Sequence, residues 1–390
     1  MAGSAEFIPY SCQSISADDI EAVQAVLTSS HLTQGPTIEE FEQAFSSRHQ
    51  VKYSVAVSNA TAGLHIGCIA LGVGPGGLVW TSPNSFLASA NCALYCGATV
   101  DFVDIDPLTR NMSLAALSDK LKLAERLGRL PQVVIPVDFS GLPCDLAEMR
   151  ALADLYGFKI LEDASHATGA SYLNNPVGSQ FAHACVFSFH AVKIVTTAEG
   201  GMITTQDREI AMRLRLLRSH GMTRDPVQME RTSDGPWYYE QKILGYNYRL
   251  TDIQAALGIS QLRRLEKTHS AREELAARYN KLLVNLPLLL PASFPDRRSS
   301  WHLYAIEIDP AQTDVARDAV FAALRAYGVG VNLHYIPIHT QPYFEKLGFS
   351  RGQYPNAERY ASRAISIPLF PGLTEAQQHR VVDVLSGVLK

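Results

Sequence analysis

The residues Phe187–Thr205, FSFHAVKIVTTAEGGMITT, place a single lysine, Lys193, between two short apolar runs. The first run ends at Phe189 and the second begins after a glycine pair, so both are typical of short interior strands. A lysine is seldom buried there unless it is paired or takes part in chemistry. Burial would lower its pKa and suit it to carry an aldehyde as a Schiff base. A solvent-exposed lysine at a strand end is the simpler interpretation of this stretch alone.

Strand-like runs alternate with helix-like windows between residues 53 and 205. This alternation predicts an α/β fold whose sheet is mostly parallel and carries helices on both faces. Such sheets bind ligands in the loops beyond the carboxyl ends of their strands. The predicted strands, rich in β-branched and aromatic residues, are Ser54–Val57, Leu78–Thr81, Thr99–Val103, Val133–Val137, Phe158–Leu161, Cys185–Phe189 and Met202–Thr204.

Length and composition indicate an ordinary globular protein. The 390 residues, 47% hydrophobic and 18% charged, are enough for a large domain and a smaller one. A net charge of −4 gives no reason to expect a nucleic acid or a membrane surface as partner. The six cysteines form no CxxC pair, which predicts no metal site and suits a reducing compartment. With no signal-like start and no apolar run of membrane length, we expect a cytoplasmic protein.

The pattern changes near residue 250, which predicts a second domain. We expect a large cofactor-binding domain over residues 14–250 and a small α/β domain over residues 251–390, with residues 1–13 near the functional site. In the small domain, His302–Ile308 and Gly330–Tyr335 have the pattern of strands, and Glu375–Leu389 has that of a final helix.

Two helix starts are predicted near the N-terminus. Ser16 is followed three residues later by Asp19, and Thr37 by Glu40. Both pairs have the spacing of a capping box, in which the two side chains satisfy the first amides of a helix.

The segment after the first predicted strand, SNATAG at residues 58–63, opens a helix with small residues. Backbone N–H groups at such a start are exposed and lie at the positive end of the helix dipole, which favours phosphate. An ordinary helix cap without a ligand fits the same residues.

A second loop follows the strand Phe158–Leu161 and contains Asp163 and His166. A carboxylate there could keep a pyridinium nitrogen protonated, and the histidine could hydrogen-bond a phenolic oxygen beside it. The alternative is a carboxylate that caps the next helix. An anion-binding helix start, a strand-tip aspartate and Lys193 together match the needs of pyridoxal phosphate. Ser188 could help to bind the phosphate, and Phe86 could stack on the ring, although a lone phenylalanine is more often a core residue.

Eight motifs are spread over almost the whole chain: HLTQGP at 31–36, SNAT at 58–61, SPNSFLASAN at 82–91, EDASHA at 162–167, FSFHAVKIVTTAEGG at 187–201, RSHGM at 218–222, GYNYRLTDIQAALG at 245–258 and HYIPI at 334–338. Together they resemble the DegT/DnrJ/EryC1/StrS sugar aminotransferases, which are fold-type I pyridoxal-phosphate enzymes. The similarity begins at Ile8 and extends to the last helix. It is greatest to the branch that aminates C4 of a UDP-linked sugar in pseudaminic acid biosynthesis.

The resemblance implies a role for each matching residue of the cofactor site. Lys193 carries the cofactor as an imine and then transfers protons, Asp163 pairs with the ring nitrogen, and His166 lies beside the ring hydroxyl. Many members have glutamine where this chain has His166, whereas the pseudaminic branch has histidine. The other implied cofactor contacts are Phe86 on the ring face and Ala60, Thr61 and Ser188 on the phosphate. Asn247 would also reach the phosphate, but from a partner subunit. The last of these implies a homodimer with shared active sites.

The resemblance also implies the reaction. L-glutamate gives up its amino group and leaves as 2-oxoglutarate, the cofactor becomes pyridoxamine phosphate, and the amine then passes to C4 of a UDP-linked 4-keto-6-deoxy-N-acetyl sugar. Alternatives are a different dTDP-, GDP- or UDP-linked keto sugar, of the perosamine or bacillosamine type, and a non-catalytic binding role. Relatives that dehydrate sugars at C3 carry histidine at the position of Lys193, which argues against that reaction. The implied sugar-nucleotide residues are Tyr10, His31, Leu32, Thr33, Gln34, Asn59, Asn332, Leu333, His334 and Tyr335.

Overall fold

The structure, a computed structural model, describes residues 6–178 and 180–389. The predicted contributions of residues 1–5 and of residue 390 lie outside these ranges. Within them the α-helices are α1 (Ala17–Leu27), α2 (Pro36–His49), α3 (Ala60–Ala70), α4 (Ala88–Tyr95), α5 (Leu114–Arg126), α6 (Leu146–Tyr156), α7 (Arg208–Arg218), α8 (Asp252–Arg263), α9 (Leu265–Leu283), α10 (Arg317–Ala326), α11 (Pro342–Glu345), α12 (Pro355–Arg363) and α13 (Glu375–Leu389).

In the described part of the chain, the strands form one large sheet and three small ones. In chain order they are β1 (Tyr53–Val57), β2 (Leu78–Thr81), β3 (Thr99–Phe102), β4 (Val133–Ile135), β5 (Lys159–Asp163), β6 (Ser171–Tyr172), β7 (Asn175–Pro176), β8 (Ala184–Ser188), β9 (Gly201–Thr205), β10 (Met222–Thr223), β11 (Glu240–Gln241), β12 (Leu288–Leu289), β13 (Arg297–Arg298), β14 (Tyr304–Ile308) and β15 (Ala364–Ile367).

The large sheet has the order β1-β9-β8-β5-β4-β2-β3. The pairs β2–β3, β2–β4, β4–β5 and β5–β8 are parallel, whereas β9 runs antiparallel to both β8 and β1. Parallel neighbours need a long crossover, usually a helix, but the chain from β8 to β9 turns back through residues 189–200 without one. The predicted mostly parallel sheet is therefore confirmed, and its antiparallel strand follows from the short connection that carries Lys193.

The C-terminal part of the chain has its own apolar core. The antiparallel sheet β12-β14-β15 packs there with α9, α10 and α13. Helix α8, however, packs against α1 and α2. Ile8 joins the C-terminal core and pairs with Val329, so the start of the described chain lies against the C-terminal part. The division at residue 250 stays a prediction.

One predicted helix start is confirmed and the other is wrong. The side chain of Ser16 accepts from the amide of Asp19, whose carboxylate accepts in return from the amide of Ser16. Helix α2 instead begins at Pro36, and the amides of Gly35 and Thr37 donate to the buried carboxylate of Asp252 at 2.9 and 3.1 Å. A side chain more than 200 residues away in sequence therefore caps α2.

The predicted strand Gly330–Tyr335 is also wrong. This segment pairs with β15 only through a single bridge between Asn332 and Ser366. Beyond that bridge the segment pairs no further with β15. The side chain of His334 still contacts Ser366 of β15, whereas Tyr335 lies beside His166 at the carboxyl edge of the large sheet.

Candidate active site

Three loops meet at one edge of the large sheet. Strands β1, β5 and β8 share one direction, so the loops that follow them lie beyond the same edge. These loops carry the helix start at Ala60, the pair Asp163 and His166, and Lys193. The charge of Lys193 acts on His166, and that of Asp163 acts on Lys193, so the structure brings the three predicted catalytic residues together.

Lys193 lies half-buried in the loop between β8 and β9. Burial lowers its pKa to about 7, an effect that the negative charge of Asp163 opposes. Within residues 6–178 and 180–389, its Nζ forms no hydrogen bond or ion pair. A large part of the amine is therefore unprotonated at neutral pH, as a nucleophile for a carbonyl group requires.

Asp163 ends β5 and is buried. Ser89, in the first turn of α4, donates its hydroxyl to Oδ2 at 2.6 Å, and the hydroxyl of Ser85 lies 2.7 Å from that of Ser89. The amide of Ser165 donates to Oδ1 at 3.1 Å. Turns and the short strand β6 follow β5 in place of a helix, so the alternative of a helix-capping carboxylate is wrong.

His166 is buried between two hydrogen-bond partners. The amide of Ser140 lies 3.2 Å from Nδ1, and the hydroxyl of Tyr335 lies 3.1 Å from Nε2. Burial, and then the positive charge of Lys193, holds the pKa of His166 well below its ordinary value. The imidazole is therefore neutral at physiological pH.

The start of α3 forms the anion-binding end of the site. Asn59 caps the helix by accepting from the amide of Ala62 at 2.8 Å, and the amides of Ala60 and Thr61 precede the helix's own hydrogen bonds. Gly201 lies against this start, since a Cβ there would be 2.8 Å from the amide nitrogen of Ala60. The buried Ser188 is paired with Gly201 across β8 and β9. The predicted residues Asn59, Ala60, Thr61 and Ser188 thus lie together at the start of α3.

Part of the predicted sugar site lies beside these residues. The rings of Tyr10 and His334 are 5.7 Å apart, and Tyr335 joins them to His166. Phe86 is 59% exposed, with its ring 6.4 Å from that of Tyr335. Burial and the charge of Lys193 lower the pKa of His334 to about 4, and its Nδ1 lies 2.8 Å from a serine hydroxyl. Of the neighbouring positions, Leu333 is half-buried and Asn332 is exposed.

Other predicted residues lie elsewhere on the chain. His31, Leu32, Thr33 and Gln34 are exposed and run past the start of α8, where the amide of Asp252 donates to the carbonyl of Leu32. Asn247 is exposed and bridges to Ser219. Among the described residues, these positions form no hydrogen bond with Lys193, Asp163 or His166. Their predicted roles in a sugar site and in a partner's active site stay predictions.

Sequence reasoning missed His302. This residue is buried, and its ring centroid lies 4.5 Å from that of His166. Burial, and then the charge of Lys193, holds its pKa well below the ordinary value, and its Nδ1 has no hydrogen-bond partner in the described part of the chain. The only sequence signal was a histidine at the entrance of an apolar strand. The positions of Ser89 and Ser140, which hold Asp163 and His166, gave no signal.

These residues fit pyridoxal phosphate. The free amides at the start of α3 with Ser188 suit its phosphate, the carboxylate of Asp163 suits a protonated ring nitrogen, and the neutral amine of Lys193 suits its aldehyde. No cluster of histidine, cysteine, aspartate and glutamate among the described residues could hold a metal ion. None of the described helices has the length and hydropathy needed to cross a membrane.

Comparison with known proteins decides the family. A sequence model of the DegT/DnrJ/EryC1/StrS aminotransferase family matches residues 13–386. The chain belongs to that family. It is 38% identical to the spore coat polysaccharide biosynthesis protein SpsC of Bacillus subtilis (strain 168) over 387 residues, which cover 98% of this chain and 97% of SpsC.

Solved structures agree with this family. PseC of Helicobacter pylori, an aminotransferase involved in the biosynthesis of pseudoaminic acid, superposes with a TM-score of 0.89 at 29% identity, over 98% of this chain and 99% of PseC. Spr1654 of Streptococcus pneumoniae in its PLP form gives a TM-score of 0.87 at 28% identity, over 98% and 100% of the two chains. Its PMP form gives 0.89.

The aminotransferase thus has the predicted fold-type I architecture and depends on pyridoxal phosphate, so the non-catalytic alternative is wrong. The sugar substrate stays a prediction. The sequence identity to SpsC is higher than that to PseC. Sequence identity therefore does not favour a substrate of the pseudaminic branch.

Proposed function

We propose that this aminotransferase moves the amino group of L-glutamate to C4 of a UDP-linked 4-keto-6-deoxy-N-acetyl sugar, as in pseudaminic acid biosynthesis. The observation that carries the transfer step is the half-buried amine of Lys193, which has a pKa of about 7, has no hydrogen-bond partner among the described residues, and interacts with Asp163 and His166. The support for this sugar is His166, the residue of the pseudaminic branch, together with the fold shared with PseC.

Each catalytic residue has a distinct task. Lys193 would move a proton from the carbon that bears the amine of the donor to the aldehyde carbon of the cofactor, and in the second half-reaction it would move a proton from that carbon to the sugar carbon. Asp163 would hold its buried negative charge beside the ring nitrogen, where it would favour the protonated ring. The bound cofactor supplies the electron sink that makes the carbon–hydrogen bond acidic. His166 would lie beside the ring hydroxyl.

The substrate is expected to lie between the cofactor and the C-terminal part of the chain. Tyr10, His334 and Tyr335 line this side of the site. Polar and aromatic side chains on loops are suited to bind sugar hydroxyls and to stack on a sugar or base. We further propose that a homodimer completes the site, with Asn247 and the loop at residues 31–34 of each chain facing the active site of the other.

A second candidate is favoured by the 38% identity to SpsC. In this case the same chemistry acts on another keto sugar linked to UDP, dTDP or GDP. The catalytic residues would be unchanged, and only the residues that contact the sugar and the nucleotide would distinguish the two functions.

The two candidates are separated by following the half-reactions in the visible spectrum. We expect L-glutamate to remove the absorbance band of the lysine-bound cofactor, and only the UDP-linked 4-keto sugar to restore it. Restoration by a dTDP- or GDP-linked keto sugar alone would support the second candidate. Lys193→Ala should lose both responses. Lys159→Ala is the matched control, because Lys159 is exposed at the opposite end of β5 from Asp163.

A further inference from the structure

A chain of hydrogen bonds links Ser140, His166 and Tyr335. The backbone N–H of Ser140 lies 3.2 Å from Nδ1 of the histidine, and Nε2 lies 3.1 Å from the tyrosine oxygen. A backbone N–H can only donate, so Nδ1 is the acceptor and carries no proton. A neutral imidazole has one N–H, which is therefore on Nε2. The buried position of His166 favours this neutral form.

The same reasoning fixes the direction of the second hydrogen bond. Nε2–H donates to the oxygen of Tyr335, so the tyrosine's own proton is not used by His166. Burial, and then the negative charge of Asp163, raises the pKa of Tyr335, which therefore keeps its proton. No further hydrogen bond of this hydroxyl is formed within residues 6–178 and 180–389. The side chain is half-buried beside Phe86, at the predicted cofactor ring.

Ser140, where this series of hydrogen bonds begins, is held in place by residues of the C-terminal part of the protein. Ser140 has a φ of 62°, which is unusual for a residue with a side chain. Its hydroxyl donates to the carbonyl of Leu303 at 2.7 Å, and its own carbonyl accepts from the amide of His302 at 2.9 Å. At the next residue, Gly141, a Cβ would overlap the hydroxyl of Ser300. The amide of Ser140 is thus directed at His166 by packing on both sides.

We propose that this hydrogen-bond relay, from Ser140 through His166 to Tyr335, makes Tyr335 a fixed hydrogen-bond donor to an acceptor oxygen in the active site. The acceptor is a carbonyl or phenolate oxygen, and it belongs either to the keto sugar or to the ring hydroxyl of the cofactor. The inference rests on the proposed function and extends it, since it assigns a direction to each hydrogen bond. Ser140 acts as a positioning residue, and Tyr335 is the residue that touches the reacting molecule.

The direction of the relay is tested by ¹⁵N NMR of the holoenzyme labelled at histidine, with His166→Gln used to assign the signal. We expect Nδ1 of His166 to be unprotonated and Nε2 to carry the proton at neutral pH. A proton on Nδ1 would reverse the relay and overturn the proposal. This measurement does not depend on turnover.

The donor role is tested with Tyr335→Phe. Its control is Tyr360→Phe, because Tyr360 is also buried but its hydroxyl has no partner among the described residues. Loss of one hydrogen bond in Tyr335→Phe predicts that the rate of the affected half-reaction decreases about tenfold, which corresponds to about 1.4 kcal/mol. A decrease confined to the keto-sugar half-reaction identifies the substrate oxygen as acceptor. A change in the cofactor spectrum before any substrate is added identifies the cofactor oxygen.

If Tyr335→Phe matches Tyr360→Phe in both half-reactions and in the spectrum, the donor role is wrong. A failure of the unaltered protein to respond to glutamate or to any keto sugar would instead refute the proposed function. In that case the NMR measurement still decides the direction of the relay.

Discussion

The acidity of Lys193 gives a prediction that needs neither cofactor nor substrate. Burial lowers its pKa to about 7. At pH 7 about half of the molecules then carry the unprotonated amine, whereas an exposed lysine with a pKa near 10.4 has about one free amine in 2,500. The negative charge of Asp163 raises the pKa and so opposes the burial. Asp163→Asn should therefore move the pKa of Lys193 further down.

The assay is competitive labelling of the cofactor-free protein with an amine-reactive anhydride at a series of pH values. Mass spectrometry of the digested protein gives the labelled fraction of each lysine. We expect the labelling of Lys193 to rise with a midpoint near pH 7, and at a lower pH in Asp163→Asn. The exposed Lys159 supplies the internal reference.

Two results would refute this reasoning. A labelling midpoint for Lys193 near pH 10 would mean that burial does not lower the pKa of its amine. An upward shift of the midpoint in Asp163→Asn would mean that the sign assigned to the carboxylate is wrong. The first result would also remove the observation that carries the proposed proton transfer.

Three further predictions concern residues that support the site. Ser89→Ala removes the hydroxyl that donates to Asp163 at 2.6 Å, and should lower the free energy of unfolding by about 1.5–3 kcal/mol in urea denaturation, whereas Ser89→Thr should not. Glu307→Ala removes the ion-pair partner of the buried Arg110 guanidinium, and should lower the free energy of unfolding by about 3–5 kcal/mol in the same assay. A decrease below about 1 kcal/mol, which is typical of surface pairs, would contradict the role of this ion pair. Gly141→Ala places a Cβ where a serine hydroxyl lies and within 2.9 Å of the His166 carbonyl, at a φ of 94°, so cofactor binding should weaken in equilibrium dialysis. Unchanged binding would show that this contact does not position the site.

The sequence was most informative where local pattern decides structure. Strand Leu78–Thr81 and helix Glu375–Leu389 have the predicted bounds, because each combines a clear apolar pattern with clear ends. Ser16 caps its helix as predicted, since its partner is three residues away. The predicted box at Thr37 is wrong because the cap is Asp252, which no local pattern could reveal.

The same limit applies to the candidate site. Lys193 and Asp163 could be predicted because each follows an apolar strand, and parallel strands bring such ends together. His302, Ser89 and Ser140 could not, because each acquires its role only when distant segments meet. Ser140, for example, contacts His166 and Leu303, which lie 26 and 163 residues away in sequence.

The measurement that tests the central claim most directly is the location of the cofactor. The holoenzyme is reduced with borohydride, digested and examined by mass spectrometry, with and without prior addition of L-glutamate. We predict that the added cofactor mass lies on Lys193, and that glutamate prevents this labelling because the amino group has passed to the cofactor. Labelling of another lysine, or labelling of Lys193 that glutamate does not reduce, would contradict the assignment of Lys193 as the catalytic residue.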